Sequence, residues 1–186
     1  VDAVGGRVTY GTAAPQWLLL ATGDTGLEIF DVPVGVDLFD GGNPHDKAFK
    51  RNEKIGDEWL ANLDGIHTLR RLWLANTGVT SDGLRHLAKL GSLREVSLSL
   101  TPVADDGLAH LAGLTGLEEL DLSSSKCTGT GFAHLTAIKG LRRVNFHNTP
   151  VNDAGLAAIA KVPASRLWPA RHRSSGCGSR EARASR

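Results

Sequence analysis

Glu119, Asp121 and His147 are the residues of this chain best typed for acid–base work: two carboxylates two positions apart and an imidazole further along. Two carboxylates near a histidine serve several hydrolytic mechanisms, one group holding a proton while another takes it. Such a site also needs a nucleophile and a donor-lined turn for developing charge, and the surrounding sequence offers neither. His86, His110 and His134 recur every 24 residues and raise the question of a metal. Each follows a Leu or Phe by two, on the outer side of a helical pattern. Helices packed roughly 9–10 Å apart cannot bring three such nitrogens to about 2 Å from one ion. Asp82, Asp105, Asp106 and Asp153 form an acidic row near expected helix starts, where negative charge is favourable without any cation. Cys127 and Cys177 are separated by fifty residues and make neither a disulfide framework nor a metal motif. No Gly-x-x-x-x-Gly-Lys-Ser/Thr string is present to grip phosphate. The expectation is therefore no catalytic residue, no metal and no cofactor.

The elements that carry these residues repeat with a period of 24. Leu69, Leu93, Leu117 and Leu141 open four units; Leu72, Val96, Leu120 and Val144 follow, then Leu74, Leu98, Leu122 and Phe146. Thr77, Thr101, Ser125 and Thr149 come next in register, then Val79, Val103, Cys127 and Val151. Alternation around Leu72 and Leu74 predicts a half-buried strand. Leu84, Leu87 and Leu90, with their equivalents Leu108, Leu111 and Leu114 and then Phe132, Leu135 and Ile138, predict a helix of about ten residues with one apolar face. One strand and one helix in a unit of this length is a solenoid signature, in which stacking merges the leucine columns into a shared core. Thr80, Thr128 and Asn152 fit helix N-caps, with Asp105 substituting where Ala104 cannot cap. The hydroxyl column fits turns rich in unpaired backbone groups.

The string Leu-x-x-Leu-x-Leu-x-x-Thr-x-Val-x-Asp-x-Gly-Leu-x-x-Leu-x-x-Leu resembles the short leucine-rich repeat of bacterial proteins, especially the planctomycete repertoire. The match covers residues 69–162. A degenerate unit precedes it, since Ile55, Leu60, Leu63 and Ile66 lie 24 residues before Val79, Leu84, Leu87 and Leu90. Its strand is displaced upstream to residues 34–38 by an insertion of about a dozen residues around Gly41-Gly42-Asn43-Pro44. Gly5-Gly6-Arg7-Val8-Thr9 resembles the segment that commonly precedes such arrays. The resemblance implies an α/β leucine-rich repeat solenoid, a right-handed horseshoe or arc with parallel strands on the concave face and short helices on the convex face. It implies a binding role and transfers no catalytic residue.

The expected organisation is an N-terminal cap and first edge strand over residues 1–38, an insertion loop and degenerate repeat helix over 39–68, four regular repeats over 69–163, and an Arg-rich disordered tail over 164–186. Leu27, Ile29 and Phe30 suggest a further edge strand in the cap. The tail carries six Arg and one Glu, whereas residues 1–163 carry 15 basic and 19 acidic residues, so an acidic body is joined to a basic end. That end fits a solvated or non-native terminus, with Leu167 and Trp168 able to fold back on the last repeat; weak attachment to nucleic acid or another anionic surface is the alternative. Trp17-Leu18-Leu19-Leu20-Ala21 is too short for a membrane span and lacks the basic flank of a signal peptide. Cysteine usage slightly favours the cytoplasm, although a chain that begins at Val1 and contains no Met is compatible with a truncated start.

Outward strand residues then form the concave face: Arg71, Trp73 and Ala75; Glu95, Ser97 and Ser99; Glu119, Asp121 and Ser123; Arg143, Asn145 and His147. Trp and Arg are the residues most enriched as binding anchors, and the acidic middle strands suit a basic partner segment. The expected function is recognition of a protein or peptide through Arg71, Trp73, Glu95, Ser97, Glu119, Asp121, Arg143, Asn145 and His147, with no specific nucleic acid and no membrane segment. A spacer within a larger protein is the other reading, and cover of Trp73 by the 43–54 loop is the plain explanation of its exposure.

Overall fold

A computed structural model describes residues 7–12, 31–38, 51–162 and 166–168. The expectations for residues 1–6 and 13–30 of the cap, for the insertion loop up to residue 50 and for the tail beyond Trp168 lie outside the described residues. Seven described strands form one open sheet in chain order. β1 (Arg7–Thr12) is antiparallel to β2 (Asp31–Asp37), and every later pairing is parallel. β3 (Arg71–Trp73), β4 (Glu95–Ser97), β5 (Glu119–Asp121) and β6 (Arg143–Asn145) are three residues each and pair without slippage, Leu72 beside Val96, Leu120 and Val144. The expected leucine-rich repeat solenoid is the fold observed.

The array departs from its 24-residue step at both ends. Val36 of β2 stands beside Leu72, a step of 36, so the inserted segment leaves the sheet uninterrupted. β7 (Arg166–Trp168) stands beside β6 with Leu167 opposite Val144, a step of 23. A one-residue shortening puts Ser165 where a 24-residue search looks for leucine, and it hides a strand at the start of what reads as a tail.

The short helices expected on the convex side are present, and most of them are 3₁₀. Asp82–Lys89, Asp105–Leu111 and Thr130–Leu135 are 3₁₀ helices; among the described residues, the flanking α1 (Asp57–Leu60) and α2 (Asp153–Ile159) are α-helical. A 3₁₀ helix has three residues per turn, so side chains three apart eclipse one another. Leu84, Leu87 and Leu90 therefore fall in one row and are all fully buried. Burying each such side chain is worth about 1.5–3 kcal/mol. Successive segments approach so closely that a glycine is needed near each start: a Cβ on Gly107 would lie 2.9 Å from Ser81 Cα, and one on Gly131 would overlap the Asp105 backbone. These glycines serve inter-repeat contact more than helix entry.

Polar side chains lock the repeats together at the same level. Asp57 accepts from the Thr80 N–H (2.7 Å) and hydroxyl (2.6 Å) of the next unit. One repeat on, Ser81 Oγ accepts from the Ala104 N–H at 3.1 Å and donates to Asp106. Asp105 accepts from the Thr128 N–H and hydroxyl and from the N–H groups of Gly129 and Gly131, at 2.6–3.0 Å. Thr80, Thr128 and Asp105 are thus inter-repeat ties and not caps of their own segments. Asn152 does cap, accepting from the Gly155 N–H at 2.8 Å. In the turns, Thr77, Thr101 and Thr149 each donate a hydroxyl to the carbonyl three residues back, at 2.6–2.7 Å, closing the strand's last turn within its own repeat.

Candidate functional site

Because side chains alternate across a strand, burying Leu72, Val96, Leu120 and Val144 turns the residues on either side of each outward. Two rows result across the concave sheet. One runs Arg71, Glu95, Glu119, Arg143; the other runs Trp73, Ser97, Asp121, Asn145. Parallel neighbours stand about 4.8 Å apart, so adjacent members of a row touch.

The two rows enclose a shallow groove of about 410 Å³ lined by Trp73, Glu95, Ser97, Glu119, Asp121, Arg143 and Asn145. Seven of the nine residues singled out in the sequence are brought together there. Arg71 lies beyond the indole, in a smaller depression with Arg7, Thr9, Gly35 and Asp37. His147 stands one pleat past Asn145, whose Oδ1 accepts its N–H at 3.1 Å. Trp73 forms one wall and is 42% exposed. Residues 52–55 run along the turn at Asn76–Gly78, away from this indole.

The carboxylates are not equivalent. Glu119 forms an ion pair with Arg143 of the neighbouring strand, so its charge is already met within the protein. Asp121 Oδ1 accepts the Ser123 N–H at 2.9 Å, and the residue lines the groove. Glu95, half-buried between Arg71 and Glu119 in the parallel register, makes no side-chain hydrogen bond or ion pair among the described residues. Ser99 and Ser123 join hydroxyls at 2.9 Å, extending a polar rim past the second row. Glu119 is thus held in an ion pair with Arg143, Asp121 accepts a local backbone N–H, and the His147 contact is made by its backbone and not by its imidazole.

Groups elsewhere are similarly committed. Cys127 is buried against Val103, and burial pushes its thiol up to about 11. Burial tends to raise the Asp105 carboxyl, but the Thr128 hydroxyl and the N–H groups of Gly131, Thr128 and Gly129 outweigh it and hold the group below its usual range. His86 Nδ1 lies 3.8 Å from Asp64, while His110 and His134 are exposed on their own segments. Among the described residues no group of three or more His, Cys, Asp or Glu side chains is placed to hold a metal ion. No helix of the described residues is long and apolar enough to cross a membrane. What the sequence did not reveal is the Glu119–Arg143 pair. The signal was present, because residues 24 apart on outward positions are neighbours and these two carry opposite charge.

No protein-family model matches the sequence, and the search of curated proteins found no match. Among solved structures, the chain is similar to an internalin C2 from Listeria monocytogenes at 20% identity and a TM-score of 0.47, covering 72% of this chain and 60% of that one. An internalin inlF from the same organism aligns at 18% identity and a TM-score of 0.36, over 57% of this chain and 43% of that one. A TLR13–ssRNA13 complex aligns at 18% identity and a TM-score of 0.38, over 56% of this chain and 19% of that one. This chain spans less than two thirds of the length of each.

Proposed function

We propose that this chain is a recognition module that holds a basic segment of another protein, or a basic peptide, across its concave sheet. The observation that carries the reading is an exposed Trp73 indole at the wall of a groove whose floor presents Glu95 and Asp121. An exposed tryptophan beside charged neighbours is the usual composition of a binding anchor. Two carboxylates with spare acceptor capacity set the sign of the partner and speed its encounter. Ser97 and Asn145 supply neutral hydrogen-bonding groups between them, while Arg71 and His147 bound the face at either end. Glu119 and Arg143 act as a rigid rim, their charges spent on each other. In its Thr-x-Val-x-Asp-x-Gly-Leu columns we read the short bacterial leucine-rich repeat subtype, divided as a cap, a degenerate unit, four regular repeats and an Arg-rich end.

The test is a calorimetric titration with blocked peptides that place one or two Arg beside an aliphatic or aromatic residue. Trp73→Ala and the double variant Glu95→Gln/Asp121→Asn are each expected to weaken binding by about tenfold, the effect of losing roughly 1.4 kcal/mol at an anchor. Glu119→Gln should have a smaller effect. Full retention of binding in both groove variants would remove the concave face from the function and leave a spacer as the better account.

A further inference from the structure

At its N-terminal end the concave sheet has a gap in its side-chain cover. The row that carries Arg71, Glu95 and Glu119 runs back through Gly35 to Thr9, and Gly35 presents no side chain. A second depression of about 200 Å³ results, separated from the main groove by the Trp73 indole, which lines both. Exposed Arg7 and Arg71 stand at its edge with Thr9. A Cβ built on Gly35 would lie 3.5 Å from Arg71 Nε, so the guanidinium overhangs the floor. Asp37 also lines the depression and stands opposite Arg7 in the antiparallel register, so two Arg and one Asp border it. Arg71 has Glu95 beside it in the parallel register, but its Nε leans over Gly35 and it makes none of the ion pairs found among the described residues, so its planar N–H donors face the depression and suit a carboxylate.

We infer that this depression is a carboxylate subsite, and that the segment bound by the concave face carries an Asp or Glu side chain three or four residues from its basic residue. The inference rests on the recognition reading above and specifies the ligand it takes. From Gly35 to Glu95 is two strand steps, and to Asp121 three, roughly 10–14 Å at about 4.8 Å per step. An extended peptide crosses that distance in about three or four residues at roughly 3.3 Å each, with an intervening side chain on Trp73. The concave face is thus bipolar: acidic in its middle, basic at its N-terminal end, with an aromatic ridge between.

Filling the depression tests this directly. Gly35 does not adopt a left-handed backbone, and an added Cβ meets Thr9 Cβ at 3.4 Å, an ordinary contact. Gly35→Val therefore occludes the floor with a strand-favouring residue. Blocked peptides with one Glu and one Arg separated by zero to six neutral residues, in both orders, are titrated by calorimetry beside an Arg-only peptide. Binding to the unaltered chain should peak when two or three neutral residues lie between Glu and Arg, and exceed the Arg-only peptide by about tenfold. Gly35→Val and Arg71→Gln should each abolish that Glu-dependent gain, and Gly35→Val should bind the Arg-only peptide as the unaltered chain does. A flat dependence on Glu position, or a gain that survives Gly35→Val, overturns the subsite while leaving the recognition reading intact. Failure of every peptide, the Arg-only one included, to bind the unaltered chain overturns both.

Discussion

Asp105 on the convex side accepts four hydrogen bonds from the next repeat, whereas Glu95 on the concave side faces the groove with no such set of donors. Both are acids half-buried on the same solenoid. The convex segments lie so close that a carboxylate there reaches the N–H groups of its neighbour; the concave residues project from a sheet whose backbone is already paired. Glu119 is intermediate, satisfied laterally by Arg143. Position on the repeat, and not residue type, decides whether an acid ties one repeat to the next or is left facing the groove.

The largest effect that can sharpen this contrast comes from the core both faces share. Leu120→Ala, in the middle of the array, should cost about 2–5 kcal/mol in urea unfolding. Leu156 occupies the same column as the fully buried Leu84, Leu108 and Phe132 but is 53% exposed. Leu156→Ala should therefore change stability by less than about 0.5 kcal/mol. Equal losses would mean that the terminal repeat is covered in solution.

Next in size is Asp105→Asn, which weakens acceptance from four donors and should cost about 1–3 kcal/mol. Its pH signature is specific. Hydrogen bonding holds the folded carboxyl below its ordinary value of 3.8, so its contribution is present above that pH and is lost as pH falls through the folded value. Asp106 is lowered by the Ser81 hydroxyl and acts in the same direction. Acid unfolding should therefore be shallower, not absent, in Asp105→Asn, and an unchanged acid limb would contradict the tie. Smaller again is Asn152→Ala, which removes one side-chain cap from α2 and should cost about 1 kcal/mol in the same denaturation assay.

Much of this was legible in the sequence because a stacked repeat writes its contacts as columns. Leu72, Val96, Leu120 and Val144 are sheet neighbours because they are 24 apart, and the outward residues beside them follow. The three-residue spacing of Leu84, Leu87 and Leu90 already matched a 3₁₀ period, although an amphipathic α-helix gives a similar pattern over so few turns. Relations that break the column were hidden. β7 is displaced by one residue, and Leu156 carries the core pattern yet is exposed. Asp105 reads as a local cap because capping rules are local, whereas its donors lie 23–26 residues away. The groove followed from the alternation of each strand, but the pairing of Glu119 with Arg143 required reading across strands.

The most direct measurement pairs the two faces in one experiment. Unfolding free energy and affinity for an Arg-containing blocked peptide are determined for Asp105→Asn and for Glu95→Gln/Asp121→Asn. The convex variant should lose about 1–3 kcal/mol of stability with its affinity unchanged. The concave variant should keep its stability within about 0.5 kcal/mol and bind about tenfold more weakly. A concave variant that unfolds as easily as Asp105→Asn, or that binds as well as the unaltered chain, would contradict the division of labour between the two faces.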